Sequence, residues 1–285
     1  MSWENEISEL ALRNNLAEKM GGEEKVARQH EFGKLTIRER VDKIVDPESF
    51  HEIGKLAGVG EYDENGNLKD FTPSNYIFGT AEIDGKPVIV SGDDFTVRGG
   101  SADASIAGKR QQAEGLAVEL RLPHIRLVDG MGGGGSVKTI ETAGRTYIPR
   151  VAGWEVIVGH LGIAPSVSLA LGSVAGIGAA RVSSSHYSVI VKDTAQMMIA
   201  GPALVDWANL GDVSKEELGS SKIHTRNGAI DDEAQSEEEA FAMAKQFLSY
   251  LPENVDQIPS RIPTNDPIDR KETFLLDVVP KHPRK

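Results

Sequence analysis

The sequence predicts an α/β fold assembled from parallel βαβ units. Three observations carry this. From Ile77 onward, short β-rich runs alternate with helical stretches of about 10–20 residues, the pattern of parallel strands joined by crossover helices. Glycine clusters recur where such a run gives way to a helix. Finally, 285 residues with 39% hydrophobic content suffice for one large domain with a buried core.

In chain order, residues 5–30 read as a helix, with Ile7, Leu10, Ala11, Ala17 and Met20 near one face. GKLTIRERVDKIVDPESF contains a shorter helix. Thr36 and Glu39 have capping-box spacing at its start, and Pro47 follows its end. Residues 58–75 are polar and rich in Gly, Asn and Asp, and read as a loop. YIFGTAEIDGKPVIVSGDDF is two strands around an Asp84-Gly85 turn. A helix over 101–120 follows Gly99-Gly100, with Ser101 as its N-cap. Next come strand HIRLVDG, a helix over 142–159, strand VSLALGS, a helix over 176–184 and strand HYSVIVKD. SKEEL and SEEEAFAMAKQFLSYL are amphipathic helices, the second stopping before Pro252. The final stretch from Ile258 holds five of the 13 prolines and reads as an extended arm. The organisation expected is therefore an N-terminal helical segment (1–50), a main domain (51–255) and a Pro-rich linker or arm (256–285).

Composition excludes several functions. With 31 Lys plus Arg against 43 Asp plus Glu, the net charge of −12 argues against nucleic-acid binding, which needs a clustered basic excess. Without cysteine there is no disulfide, thiolate nucleophile or Cys-ligated metal. The seven His show no HExxH or paired spacing, so no metal site is expected. Neither a leader nor an apolar run of membrane-spanning length is evident, and a cytoplasmic protein is expected.

Chemistry centres on three glycine clusters: FTVRGGS (95–101), DGMGGGGSVKT (129–139) and LGSVAGIGAAR (171–181). At a strand-to-helix junction, glycine lets a ligand approach backbone N–H groups that lack intrahelical partners. Such amides hold phosphates or stabilise oxyanions. Each cluster alone reads equally as a tight turn, but three at successive βα junctions could converge on one end of a sheet. The second cluster lacks the P-loop Gly-Lys-Ser/Thr register and matches the dinucleotide fingerprint weakly. Ser183 to His186 reads as a helix C-terminal run, His224 as a loop hydrogen-bonder, and Glu237-Glu238-Glu239 as a solvated first helical turn. Backbone donors without a side-chain nucleophile, base or metal suit chemistry in which substrate or a carried cofactor supplies the reacting groups, such as an enolate formed from a thioester.

Five ordered segments carry a family resemblance: GKLTIRERVDKIVDPESFHEIG, IFGTAEIDGKPVIVSGDDFTVRGGS, SVSLALGSVAGIGAARV, SVIVKDTAQMMIAGPALV and EELGSSKIHTRNGAID. In these the chain resembles the N-terminal half of the carboxyltransferase (β) subunit of biotin-dependent acyl-CoA carboxylases, of the propionyl-CoA and methylcrotonyl-CoA type. The resemblance implies a crotonase-like (ClpP/crotonase) ββα superhelix that binds acyl-CoA. It implies carboxyl transfer from carboxybiotin through an enolate held by backbone N–H groups. Biotin would be carried by a partner, and a C-terminal domain or subunit would receive it. A biotin carboxylase or biotin carrier subunit, an oligomeric assembly and the absence of metal follow from the same likeness. Carried over by motif, the oxyanion donors are Gly176 and Ile177, with Gly133 and Gly134 beside them. Gly99, Gly100, Gly132, Gly135, Ser136 and Ala175 would shape the acyl-CoA pocket. Lys34, Arg38 and Arg40 would meet the CoA phosphates or adenine, or else form helix-surface salt bridges. There are departures. The family's DSGGAR has become DGMGGGGSVK, and its AGG has become Ala175-Gly176-Ile177. The chain stops near where the family's second domain begins, and it has no Met-Lys-Met biotin-attachment motif. A stand-alone crotonase-fold decarboxylase, hydratase or hydrolase, with Glu141 as its candidate acid or base, and a non-catalytic assembly subunit are the alternatives.

Overall fold

The computed structural model describes residues 3–101, 108–130, 141, 144, 153–279 and 281–282. Helices α1 (Glu4–Glu18) and α2 (Glu23–Glu31) open the chain where one helix was expected. The break falls at Gly21-Gly22. Gly22 takes φ 92°, and a Cβ on Gly21 would lie 2.1 Å from the Thr96 carbonyl oxygen. In α3 (Ile37–Ile44) the expected capping box forms, with Thr36 and Glu39 exchanging side-chain and backbone hydrogen bonds. Its inner face buries Ile37, Val41 and Ile44, and also Arg40.

After β1 (His51–Glu52), residues 58–75 are not a loop but the hairpin β2 (Gly58–Tyr62) and β3 (Leu68–Pro73). The Asp63 carboxylate accepts the Asn65 and Asn67 N–H groups and closes its turn. Leu68, Phe71 and Pro73 are its buried residues, the first two packing on Ala17, so the hairpin lacks a regular alternating apolar pattern. Strands β4 (Tyr76–Ile83) and β5 (Lys86–Asp93) pair antiparallel through Asp84 and Gly85, both at positive φ as a two-residue hairpin turn requires.

Helix α4 (Lys109–Leu120) starts later than expected, with Gly108 rather than Ser101 at its cap. Then follow β6 (His124–Val128), α5 (Trp154–Leu161), β7 (Ser166–Ala170), β8 (Ser173–Ala175), α6 (Ile177–Ser183), β9 (Tyr187–Val191) and β10 (Gln196–Met198). Most of the expected 142–159 helix before α5 lies outside the described residues. The chain continues through α7 (Pro202–Trp207), α8 (Lys215–Gly219), α9 (Ser221–Asn227), β11 (Asp232–Ala234), α10 (Glu237–Ser249) and α11 (Leu275–Val278).

Seven strands form the main sheet in the order β1-β4-β5-β6-β7-β9-β11. It is mixed: β1, β4 and β5 pair antiparallel, while β5 through β11 run parallel as the helix alternation predicted. The carboxyl ends of β5, β6 and β7 therefore stand side by side, and a glycine cluster follows each. Ile125, Leu127, Val167, Leu169 and Val189 are fully buried in one core cluster, which includes Ile37, Val41 and Ile44 of α3 and Ala240, Ala244 and Leu248 of α10. Across the sheet runs a row of buried polar residues in register, Ser91, Arg126, Ser168 and Ser188. Glu114 of α4 neutralises Arg126 with two hydrogen bonds of 3.0 and 2.7 Å. A small parallel sheet pairs β8 with β10 beside the third glycine cluster. Among the described residues, no helix is long and apolar enough to cross a membrane.

Candidate functional site

The three glycine turns converge. Gly100 has φ 64°, and a Cβ on it would sit 2.9 Å from both the Asp129 carbonyl oxygen and the Gly130 Cα. The Gly130 carbonyl oxygen in turn accepts the Ala175 N–H at 3.4 Å and lies 3.1 Å from where a Gly178 Cβ would stand. The first turn thus packs on the start of the second, and the second on the third. Gly132, Gly133, Gly134, Gly135 and Ser136 lie outside the described residues.

Gly176 caps α6 at φ 59° and ψ −119°, a region open essentially to glycine alone. Its N–H donates to the Met198 carbonyl at 3.0 Å. Gly176 is therefore not a free oxyanion donor, and this corrects the sequence reading: its conformation turns the chain while β10 occupies its amide. Ile177 opens the helix, and the first amides of a helix have no intrahelical acceptor.

The three cations named from sequence turn inward. Arg40 is fully buried, with its guanidinium 2.7 Å from both Glu237 carboxylate oxygens, 2.8 Å from Asp129 and 3.2 Å from the Leu171 carbonyl. Burial works against its charge, but the Asp129 and Glu237 carboxylates outweigh that and hold it protonated. Lys34 binds both Asp129 oxygens at 3.1 Å and lies 4.2 Å from the Phe95 ring centroid. Arg38 pairs with Glu52 at 2.9 Å. The expected CoA contact by Arg40 is thus contradicted, because both faces of its guanidinium fork are taken. Lys34 and Arg38 are likewise held by carboxylates. Glu237 is correspondingly not a solvated residue but a 5% exposed anchor. Asp129, which also accepts from Gln29 at 3.0 Å, immediately precedes Gly130, so this network fixes the second glycine turn from beneath.

What sequence reading missed is a cleft of about 450 Å³ opening at Gly99. It is lined by Lys25, Arg28, Arg98 and Lys215 and by the rings of Phe32 and Phe95, and among the described residues that line it none is a carboxylate. In a chain of net charge −12, four cations around one cleft form a local reversal of field. Arg28 stacks on Phe32 at 5.6 Å, and Arg98 adopts φ 53°, a left-handed conformation costly for a residue with a Cβ. Lys25, Arg28 and Phe32 occupy i, i+3 and i+7, a spacing legible in the sequence. Cations beside aromatic faces suit a phosphorylated ligand bearing a planar base.

Other candidates are closed. His186 spends both ring nitrogens on backbone, at Ser166 N and Leu161 O, and forms no dyad with Ser183. Ser91, His124 and Glu114 stand in line at 2.7 and 3.2 Å, the connectivity of a hydrolase triad. All three are at most 2% exposed, so no substrate reaches them. Glu141, the candidate acid or base of the alternative reading, is exposed. Among the described residues, no group of three or more His, Asp and Glu is arranged to hold a metal ion.

Residues 28–285 match the family model described as the carboxyl transferase domain. The chain is 30% identical to the propionyl-CoA carboxylase carboxyltransferase subunit of Haloferax mediterranei, over 100% of this chain and 54% of that protein. It is 31% identical to the propionyl-CoA carboxylase beta chain of Roseobacter denitrificans, over 97% of this chain and 54% of that one. Among solved structures, transcarboxylase 12S, a hexamer seen with methylmalonyl-coenzyme A and methylmalonic acid bound, superposes with a TM-score of 0.76 at 27% identity. That match covers all of this chain and 54% of the other. The beta subunit of geranyl-CoA carboxylase from P. aeruginosa shares the fold with a TM-score of 0.68. The crotonase-like α/β fold is thus borne out, and the chain spans about half the length of the relatives it matches.

Proposed function

Since this chain belongs to the carboxyl transferase domain family, we propose that it is the acyl-CoA-binding half of a biotin-dependent acyl-CoA carboxyltransferase. One observation carries the reading: a cleft ringed by cations opens at Gly99, in the first of three glycine turns that pack on one another. Lys25, Arg28, Arg98 and Lys215 would neutralise the phosphates of coenzyme A, and the Phe32 and Phe95 rings would flank its adenine. The acyl thioester would then extend along the glycine turns toward Ile177, whose N–H would hold the thioester oxygen. That bond strengthens as the oxygen gains charge in an enolate, and one such donor is worth about 10²–10³ in rate. Gly99 lines the cleft directly, and Gly100 lets the first turn pack on the second beside it.

Carboxybiotin, held by a further domain or a partner subunit, would supply the carboxyl group. The donors present here, backbone amides and a cationic rim, fit a thioester and phosphates, and none is assigned to biotin. The partners of this reading are that second half, a biotin carboxylase or biotin carrier, and further copies in an oligomer. The division into a helical segment to residue 50, a binding domain to 255 and an arm beyond belongs to the same proposal.

Calorimetric titration with acetyl-, propionyl- and longer acyl-CoAs tests it. Saturable binding of at least one is expected, and no binding to any would overturn it in favour of an assembly role. Turnover of an acyl-CoA without carboxybiotin or a second half would favour the stand-alone crotonase-type enzyme.

A further inference from the structure

We propose that His224 is a positioning residue: through strand β10 it holds the turn that aims the Ile177 amide. The inference rests on reading that amide as the thioester-oxygen donor. Its structural part stands on separate ground.

The chain of contacts is short. His224 Nε2 lies 2.6 Å from the Met197 carbonyl oxygen. A carbonyl only accepts, so Nε2 carries the hydrogen of this bond. Nδ1 is itself buried without a hydrogen-bond partner. The ring as a whole is half-buried, and the bond from Nε2 to Met197 is what fixes its orientation.

Met197 sits in the middle of β10, a strand of three residues whose one ladder among the described residues is with the three residues of β8. Two strands of that length are not stable unaided. The α8–α9 segment grips the outer side of β10 at two points. One is the His224 bond. The other is Gly219, packed so closely that a Cβ would lie 2.0 Å from the Met197 carbonyl oxygen. On its inner side β10 meets the site: Met198 pairs with Ala175, and its carbonyl takes the Gly176 N–H at 3.0 Å. Gly176 is the residue whose positive φ launches α6 with Ile177 at its head. His224, Met197, Met198, Gly176 and Ile177 therefore form one mechanical series, held at one end by a side chain and ending at the first amide of α6.

The test uses the whole chain in three forms: wild type, His224→Ala and His224→Gln. Gln places an amide nitrogen near the His Nε2 position and should restore the bond. Two readouts are taken. Hydrogen exchange at Gly176 reports the turn directly, with amides of β6 and β7 as the internal reference. The ratio of affinities for propionyl-CoA and S-propyl-CoA, a thioether lacking the carbonyl, reports the amide's hold on oxygen. In His224→Ala, Gly176 exchange is expected to quicken at least tenfold with the reference amides unchanged, and the affinity ratio to fall toward one. His224→Gln should keep both near wild type. Wild-type behaviour in His224→Ala would overturn the proposal. So would equal loss of protection in β6 and β7, which marks a merely structural histidine. Should His224→Ala fail to fold, His224→Asn, whose nitrogen lies nearer the Nδ1 position, is judged by the same criteria. If Gly176 exchange quickens while wild type shows no preference for the thioester, the positioning role stands and the oxygen-holding role of Ile177 falls.

Discussion

Arg40 lies between Asp129 and Glu237 with no solvent exposure, so removing its guanidinium strands two carboxylates in the interior. Arg40→Ala is expected to destabilise the fold by about 3–5 kcal/mol, the usual loss when one member of a buried ion pair is deleted. The midpoint of urea unfolding reads this. Gly176 poses a different constraint, because its φ and ψ are closed to residues with a Cβ. Gly176→Ala should cost roughly 1–3 kcal/mol by backbone strain and lower acyl-CoA affinity by moving the α6 amide. At the cleft, Lys25→Ala and Arg28→Ala should each weaken acyl-CoA binding about tenfold, or about 1.4 kcal/mol. That loss should shrink as salt is added, because exposed charges are screened. An unchanged dissociation constant in the double variant would remove the cleft from the site. These residues differed in legibility. Gly176 was visible because glycine at a strand-to-helix junction has a local reason. Arg40 was not, because its partners lie 89 and 197 residues away and nothing in RERVDKI distinguishes a buried arginine from a solvated one.

Strands β5, β6 and β7 set the site by ending together, and their alternation with helices made that readable before any coordinates. The β2–β3 hairpin escaped the same reasoning because it buries little and its turn is closed by an Asp63 side chain. HIRLV was read as a short strand, and the structure buries all five of its residues, His124 and Arg126 included. His124 is pushed down, first by burial and then by Arg126, while Glu114 pulls the other way. Burial likewise pushes His160 down to about 4 from its ordinary 6.5, against the opposing Leu122 carbonyl. The sign follows from linkage. Between those values the unfolded chain takes up a proton that the folded chain refuses. Stability should therefore be level with respect to His160 above about pH 6.5, decline as the pH falls from there toward 4, and fall no further on its account below that. Urea midpoints at neutral, mildly acid and acid pH would display the slope, and His160→Gln should flatten its share. A midpoint constant across that window would contradict the burial of these rings.

For the whole molecule, the compact sheet contrasts with a C-terminal arm whose side chains stand in solvent. Ile258, Ile262 and Ile268 are each more than four-fifths exposed. Brief trypsin treatment is expected to cut first at Arg261, Arg270 or Lys271 and leave a core with unchanged Tm, as mass spectrometry and a thermal melt would report. A lower Tm after clipping would mean the arm packs on the core. The proline content made the arm legible, whereas the cationic cleft was hidden by a whole-chain charge of −12 that averages over its four basic residues. One consequence of the Arg40–Glu237 pair concerns synthesis. At about 5–20 residues per second, some 10–40 s separate the two residues' exit from the ribosome. For that interval Arg40 must wait without its Glu237 partner, with Asp129 emerging part-way through, and the emergence of α10 acts as the clasp that lets the domain close.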